Sequence, residues 1–197
     1  GSSGGGGKFS PITADNDVLD KNDTSSSANI FDDVKKDHWA NQYIETLYKE
    51  GTVSGVNATE YKPEDNITRE EFVKLIAACF DTEIKPCEHS FSDVVPGIWY
   101  EPYVAFAYEK GIVKGLPDGS FGVGTTVTRQ DAAVMIYRCA ESLNAGISPV
   151  RGQSAFSDVS EISSYALEAA EYLYKCGILN GTDGGRFAPK DTLTRAE

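Results

Sequence analysis

No apolar run in this 197-residue sequence approaches the ~18–20 residues that a membrane-spanning helix requires. Basic residues are scarce: 18 Lys and Arg stand against 30 Asp and Glu, for a net charge of −12. They form neither a stripe nor a tail, which argues against a nucleic-acid partner. The four cysteines (Cys79, Cys87, Cys139 and Cys176) include no CxxC pair and have no ligand spacing with His38 or His89, so no metal site is expected. Cys79 and Cys139 fall at equivalent places in an internal repeat, which favours small core residues over a disulfide framework. A repeated nucleophile with its base is also missing, so neither an enzyme nor a cofactor is expected. Residue 1 opens no signal peptide, which reads as a mature form or a fragment. The remainder, 40% hydrophobic and 24% charged, suffices for one large or two small packed domains.

Residues 1–30 read as a flexible linker. Gly1 to Gly7 is almost all Gly and Ser, and Asp15 to Asn29 is polar, so neither part buries enough surface to offset its ordering entropy. Asp15-Asn16-Asp17 resembles the start of a calcium loop but lacks the later Gly and Glu. From Phe31 the chain repeats itself. Phe31-Asp32-Asp33-Val34 matches Phe91-Ser92-Asp93-Val94 at an offset of 60, which holds through Trp39/Trp99, Gly51/Gly111, Gly55/Gly115, Tyr61/Phe121, Arg69/Arg129 and Cys79/Cys139. A third copy opens at Phe156-Ser157-Asp158-Val159 and gains one residue before Tyr165 takes the place of Trp99. From there the offset is 66, bringing Gly177, Gly181, Phe187 and Arg195 into register. The repeats are expected at 31–90, 91–155 (with a linker) and 156–197.

Each copy reads helix, loop, helix. Trp39, Tyr43, Ile44 and Leu47 mark one face of a first helix, and Gly51 suits a left-handed C′ position. Turn signals follow, including Pro117-Asp118-Gly119 and Thr182-Asp183-Gly184-Gly185, and an aromatic closes the loop. A second helix then begins at Thr68-Arg69-Glu70-Glu71, Thr128-Arg129-Gln130-Asp131 and Thr194-Arg195-Ala196-Glu197. Thr68 with Glu71, and Thr194 with Glu197, have the form of capping boxes; Thr128 with Asp131 is a poorer one. The third copy stops inside its second helix, so Arg195 is expected at a frayed end.

The Arg of each box does not fit helix initiation alone. At the first helical position a cation opposes the macrodipole by roughly 0.3–1 kcal/mol. Three at matched positions point to an anion, carboxylate or phosphate, at the helix N-terminus. On this reading Arg69, Arg129 and Arg195 are exposed, and removing one costs little stability. Trp39, Trp99 and Tyr165 offer either core packing or a flat face for a sugar ring. Asp33, Asp93 and Asp158 suit sugar hydroxyls or local turn bonds equally. Gly55, Gly115 and Gly181 suit close approach of a ligand or a positive-φ turn.

The run F-x-D-V, aromatic-Ala helix, Gly-φ-φ-x-Gly, aromatic, φ-T-R-x-E, repeated in order over 31–197, resembles the S-layer homology family. The form T-R-A-E is intact only in the third copy. The resemblance implies an all-α fold, with three helix-loop-helix repeats in a pseudo-three-fold helical bundle whose third repeat is truncated. It implies an extracellular, non-catalytic module, monomeric with internal pseudo-symmetry and not inserted in a membrane. Clefts between repeats would bind secondary cell-wall polysaccharide, commonly through a terminal pyruvylated N-acetylmannosamine. An Arg at a helix N-terminus suits that ketal carboxylate. The alternative is a protein–protein assembly module of a surface lattice with no sugar site. Packing alone gives no evident reason for three such cations, which makes the Arg triplet the discriminating feature.

Overall fold

The computed structural model describes residues 29–80, 82–85, 88–182 and 184–197. Most of the expected linker, the Asp15-Asn16-Asp17 stretch, Cys87 and Asp183 lie outside the described residues. The chain divides into two compact units, Gly1–Lys62 and Pro63–Glu197, so the boundary falls within the first repeat.

In the first unit, helix α1 spans Asn41–Lys49. Its C-terminus is a full Schellman motif: Gly51, at φ 75°, donates to Tyr48 O at 3.0 Å, and Thr52 donates to Leu47 O at 2.9 Å. Gly111 and Gly177 end the first helices of the other two repeats in the same way. Phe31 packs edge-on against Tyr48 at 5.2 Å and against the loop aromatic Tyr61 at 5.5 Å. The apolar face expected on α1 is only partly its core face. Ala40 and Ile44 are buried, whereas Trp39, Tyr43 and Leu47 are exposed.

The second unit contains α2 (Arg69–Ala77), α3 (Glu101–Glu109), α4 (Arg129–Ser142) and α5 (Leu167–Lys175). Among the described residues there is no β-strand, and the fold is all-α with repeats. Two short 3-10 turns, Val159–Glu161 and Ser164–Ala166, absorb the extra residue of the third copy before α5. α3 packs on α2 and α5 on α4, so the first helices of the second and third repeats each rest on the second helix of the preceding repeat. The Phe31 cluster recurs as Phe91 with Tyr108 and Phe121, and as Phe156 with Tyr174 and Phe187.

The segments that precede the three boxes meet in a closed cycle of backbone hydrogen bonds. Ile67 donates to Leu193 O (3.0 Å), Leu193 to Val127 O (3.1 Å), and Val127 to Ile67 O (3.1 Å). Each of these amides is thereby satisfied by the preceding repeat around the cycle, without a sheet. The cycle has the three-fold pseudo-symmetry of the sequence.

The Thr68 box is complete. Its hydroxyl accepts from Glu71 N at 3.4 Å, and Glu71 Oε2 accepts from Thr68 N at 3.0 Å. Thr128 accepts from Asp131 N at 3.3 Å, but its pairing with the Asp131 carboxylate runs from hydroxyl to Oδ2. The aspartate is one methylene too short for the reciprocal bond. Thr68→Ala is expected to cost about 0.5–2 kcal/mol. Urea unfolding would read this as a lower midpoint at constant slope. An unmoved midpoint would show that the cap is dispensable.

Candidate binding site at the three arginines

Each Arg begins just after this cycle, and its backbone N–H is already used. Arg69 donates to Thr125 O (2.9 Å), Arg129 to Asp191 O (2.9 Å) and Arg195 to Asp65 O (2.8 Å). The side chains turn away from their own helix ends. Arg69 Nε donates to Phe121 O at 3.1 Å and Arg129 Nε to Phe187 O at 2.9 Å, with each guanidinium over that aromatic's ring.

The terminal nitrogens reach the capping carboxylate of the next repeat. Arg69 Nη1 is 3.6 Å from Asp131, Arg129 Nη1 is 2.8 Å from Glu197, and Arg195 Nη1 is 3.2 Å from Glu71. The ion pairs therefore close a second cycle outside the backbone one. This offsets the conflict with the macrodipole at Arg69 and Arg129, because each cation is matched to a carboxylate of its neighbour's box. It also corrects one expectation: the arginines are not loosely exposed, Arg69 being only 7% accessible. Around Arg195 no helix follows the box, as expected, but Thr194 and Glu197 still form their reciprocal bonds at 3.0 and 3.4 Å. Desolvation lowers the Arg69 pKa below its usual value, against the opposing pull of Asp131, Tyr165 and Glu70.

The three aspartates act on the loops. Asp33 accepts from Tyr61 N and Lys62 N at 2.9 and 2.7 Å. Asp93 accepts from Phe121, Gly122 and Val123 N at 2.7–2.8 Å. Asp158 accepts from Phe187 and Ala188 N, both at 2.8 Å. Both oxygens of each carboxylate are thus engaged by backbone, the local alternative for these residues. The second residue in each grip is left-handed: Lys62 at φ 58°, Gly122 at 93° and Ala188 at 55°. Only Gly takes that conformation without strain, so the carboxylate holds a costly turn. In two repeats that turn aims the carbonyl of Phe121 or Phe187 at the Arg. The chain of causes runs from Asp to loop to carbonyl to guanidinium.

The repeated glycines serve the same loops. A Cβ on Gly55 would stand 2.6 Å from the Phe31 ring, and one on Gly115 would likewise collide with Phe91. Gly115 alone of the three has a positive φ, 79°; Gly181 lies near Arg186 O. The close approach in these places is by the chain's own aromatic.

Trp39, Trp99 and Tyr165 are not core residues; they are 60%, 49% and 54% accessible. Tyr165 reaches the Arg69 pair, its hydroxyl donating to Asp131 Oδ1 and accepting from Gln130 Nε2, both at 2.8 Å. Burial and Asp131 raise its pKa to about 12, so it remains a donor at neutral pH. Trp99 lies over the Lys74 ammonium (5.8 Å), one turn along α2 from Glu71, the partner of Arg195. Sequence reasoning missed Glu70, which is buried and accepts from Gly124 N at 3.0 and 3.2 Å, and Gln130, which also accepts from Ser163 N. Their positions beside an acidic cap gave no signal of burial. No group of His, Cys, Asp or Glu suited to a metal occurs among the described residues.

Comparison with known proteins places this arrangement. The family model described as the S-layer homology domain matches residues 30–73, 90–133 and 155–197. An endoglucanase of Bacillus sp. (strain KSM-635) is 32% identical over 89% of this chain and 18% of its own length. An amylopullulanase of Thermoanaerobacterium thermosulfurigenes is 34% identical over 85% of this chain and 9% of its own. The S-layer protein sap of Bacillus anthracis is 30% identical over 88% of this chain and 21% of its own. The chain thus spans about a fifth or less of the length of these relatives.

Proposed function

Because this chain belongs to the S-layer homology family, a non-catalytic domain that anchors proteins to the cell wall from outside, we propose that it binds secondary cell-wall polysaccharide in the clefts between its repeats. The ligand group is the ketal carboxylate of a terminal pyruvylated N-acetylmannosamine. The observation that carries this reading is the pairing of each Arg with a carboxylate from the neighbouring repeat. At Arg69 and Arg129 the guanidinium is pre-set by a backbone carbonyl, and a terminal nitrogen of each faces a carboxylate. A ligand carboxylate would share or replace that partner. Half-exposed Tyr165 supplies an apolar face beside the Arg69 pair, and Trp99 one beside Lys74 on α2, which suits the C–H face of a sugar ring. Net charge −12 repels an anionic glycan at long range, so recognition rests on these local contacts.

The same pairing supports a second reading. Since protein carboxylates satisfy all three arginines, packing does supply a reason for the triplet, and an assembly module without a sugar site is consistent with it. Retention of the chain on purified wall glycan, with and without removal of the pyruvyl ketal, separates the two. The sugar reading expects retention to fall when the ketal is removed. It also expects Arg129→Ala to weaken binding by about 1.5–3 kcal/mol, with Arg129→Lys as the finer control because a point charge does not replace the planar fork. Equal retention on both glycans, by protein and variant alike, would favour assembly.

A further inference from the structure

We propose that Asn180 and Gly181 form a self-modifying site, where the Asn180 amide is lost as ammonia and leaves an isoaspartate whose free carboxylate faces Arg129. Asn180 is the one asparagine in the sequence that is followed by glycine. The pair is exposed in the loop after α5, and Gly181 has no Cβ to hinder ring closure. Gly181 N–H donates to no described residue, so the attacking nitrogen is not tied up. The group it would attack is held and polarised. Arg151 Nη1 donates to Asn180 Oδ1 at 2.7 Å and to Leu179 O at 3.4 Å. Arg151 is itself fixed, its backbone N–H donating to Lys175 O at 3.0 Å and its guanidinium lying 5.4 Å from the Tyr174 ring centre. A charge-assisted bond at Oδ1 stabilises the negative charge that develops there when Cγ is attacked. On the other side of the residue, Asn180 O accepts from Arg129 Nη2 at 3.5 Å.

The Gly181 nitrogen, its proton given to a solvent base, attacks Asn180 Cγ. The Cγ–Nδ2 bond breaks, Nδ2 leaves with the electron pair and takes up a proton as ammonia, and a succinimide ring remains. Water then opens the ring at either of its carbonyls. Opening at Cγ gives an ordinary aspartate, with its carboxylate beside Arg151. Opening at the backbone carbonyl gives isoaspartate: the chain now runs through Cγ, and the former backbone carbonyl becomes a free carboxylate. The backbone carbonyl, closer to the electron-withdrawing Asn180 nitrogen, is the more electrophilic of the two. Overall, water is consumed and ammonia released, with no oxidant or reductant. The carbonyl converted is the one that faces Arg129, so the product sets a full negative charge against that guanidinium. The modified chain thereby supplies its own competitor for the anion site, a consequence that rests on the glycan reading above.

The test ages the folded protein in mildly alkaline buffer, maps its peptides by mass, and counts isoaspartate by enzymatic methylation of the new carboxylate. Asn180 should show the mass gain of exchanging NH2 for OH ahead of every other asparagine, mainly as isoaspartate. Arg151→Gln should slow that gain. Asn180→Gln, which keeps a side-chain amide but cannot close the succinimide ring, should show none. Retention of aged wild type on purified wall glycan should fall in proportion to its isoaspartate content, while aged Asn180→Gln is retained like fresh protein. The inference is overturned if Asn180 keeps its amide, if the product is only ordinary aspartate, or if Arg151→Gln reacts as fast as wild type. It is equally overturned if aged wild type is retained as well as aged Asn180→Gln. Fresh protein that is not retained at all would count against the glycan reading, and the mass gain and isoaspartate count decide the modification without it.

Discussion

Replacing Arg69 with Ala is expected to lower stability by about 2–4 kcal/mol, far more than a surface arginine would. The side chain is nearly enclosed, and three interactions end at once. Phe121 O loses its 3.1 Å donor, Asp131 loses its cation, and the Phe121 ring loses the guanidinium stacked on it at 5.3 Å. An unsatisfied buried carbonyl alone costs about 1–3 kcal/mol. The arginine's aliphatic stem also fills the space over Gly122, where a Cβ would touch Arg69 Cδ at 3.2 Å. Asp131 stays partly hydrated, which keeps the estimate below that for a fully buried pair. Arg69→Lys should recover the charge but not the Nε bond, and so fall between the two. Urea titration of the three proteins measures the differences. A loss under 1 kcal/mol for Arg69→Ala would mean that the Arg–carboxylate cycle is ornamental to folding, and that its retention must be explained by ligand alone.

The pattern of motifs made much of this legible from sequence. The helix stops at Gly51, Gly111 and Gly177, the boxes at Thr68, Thr128 and Thr194, and the loop-closing aromatics all have local causes, and local causes are what spacing reports. The arginine partners do not. The contact from Arg69 to Asp131, or from Arg195 to Glu71, depends on how one repeat is rotated against the next, which no single repeat encodes. Within one copy a capping box is complete in itself and gives its carboxylate no further partner. In the structure one oxygen of Glu71 or Glu197 serves its own cap and the other serves the neighbouring repeat's arginine. Trp99 and Tyr165 were harder for the opposite reason. Composition favours burying a large aromatic, and only the geometry of the first helices shows Ala and Val taking the core positions beside them. The aspartates of F-x-D-V were evenly balanced between ligand and local bonding. Two or three backbone donors for each, in every copy, show what they do for the fold.

Asp158→Ala should have the larger effect, about 3–5 kcal/mol, because two charge-assisted backbone bonds end in a site where the carboxylate is 4% accessible. Phe187 N and Ala188 N would be left without an acceptor, and Ala188 would keep its left-handed conformation with nothing to hold it. Collapse of that turn also withdraws Phe187 O from Arg129, so the damage spreads to the arginine cycle. The carboxylate has a pH signature that separates this from simple loss of packing. Burial alone would raise the Asp158 pKa; the donors at Phe187 and Ala188, with Arg186 nearby, outweigh it and hold the group below its usual value. Asp93 is depressed in the same way by Phe121, Val123 and Gly122. A depressed folded pKa means that the stabilisation is complete above the unfolded value of about 3.9 and disappears as pH falls through the folded one. Wild-type Tm should therefore hold down to about pH 4 and fall below it, whereas Asp158→Ala should start lower and decline less steeply over the same acid range. Parallel declines would show that Asp158 contributes no proton-linked stability. The loop would then be held by shape, and the chain of causes from aspartate to arginine would be broken at its first link.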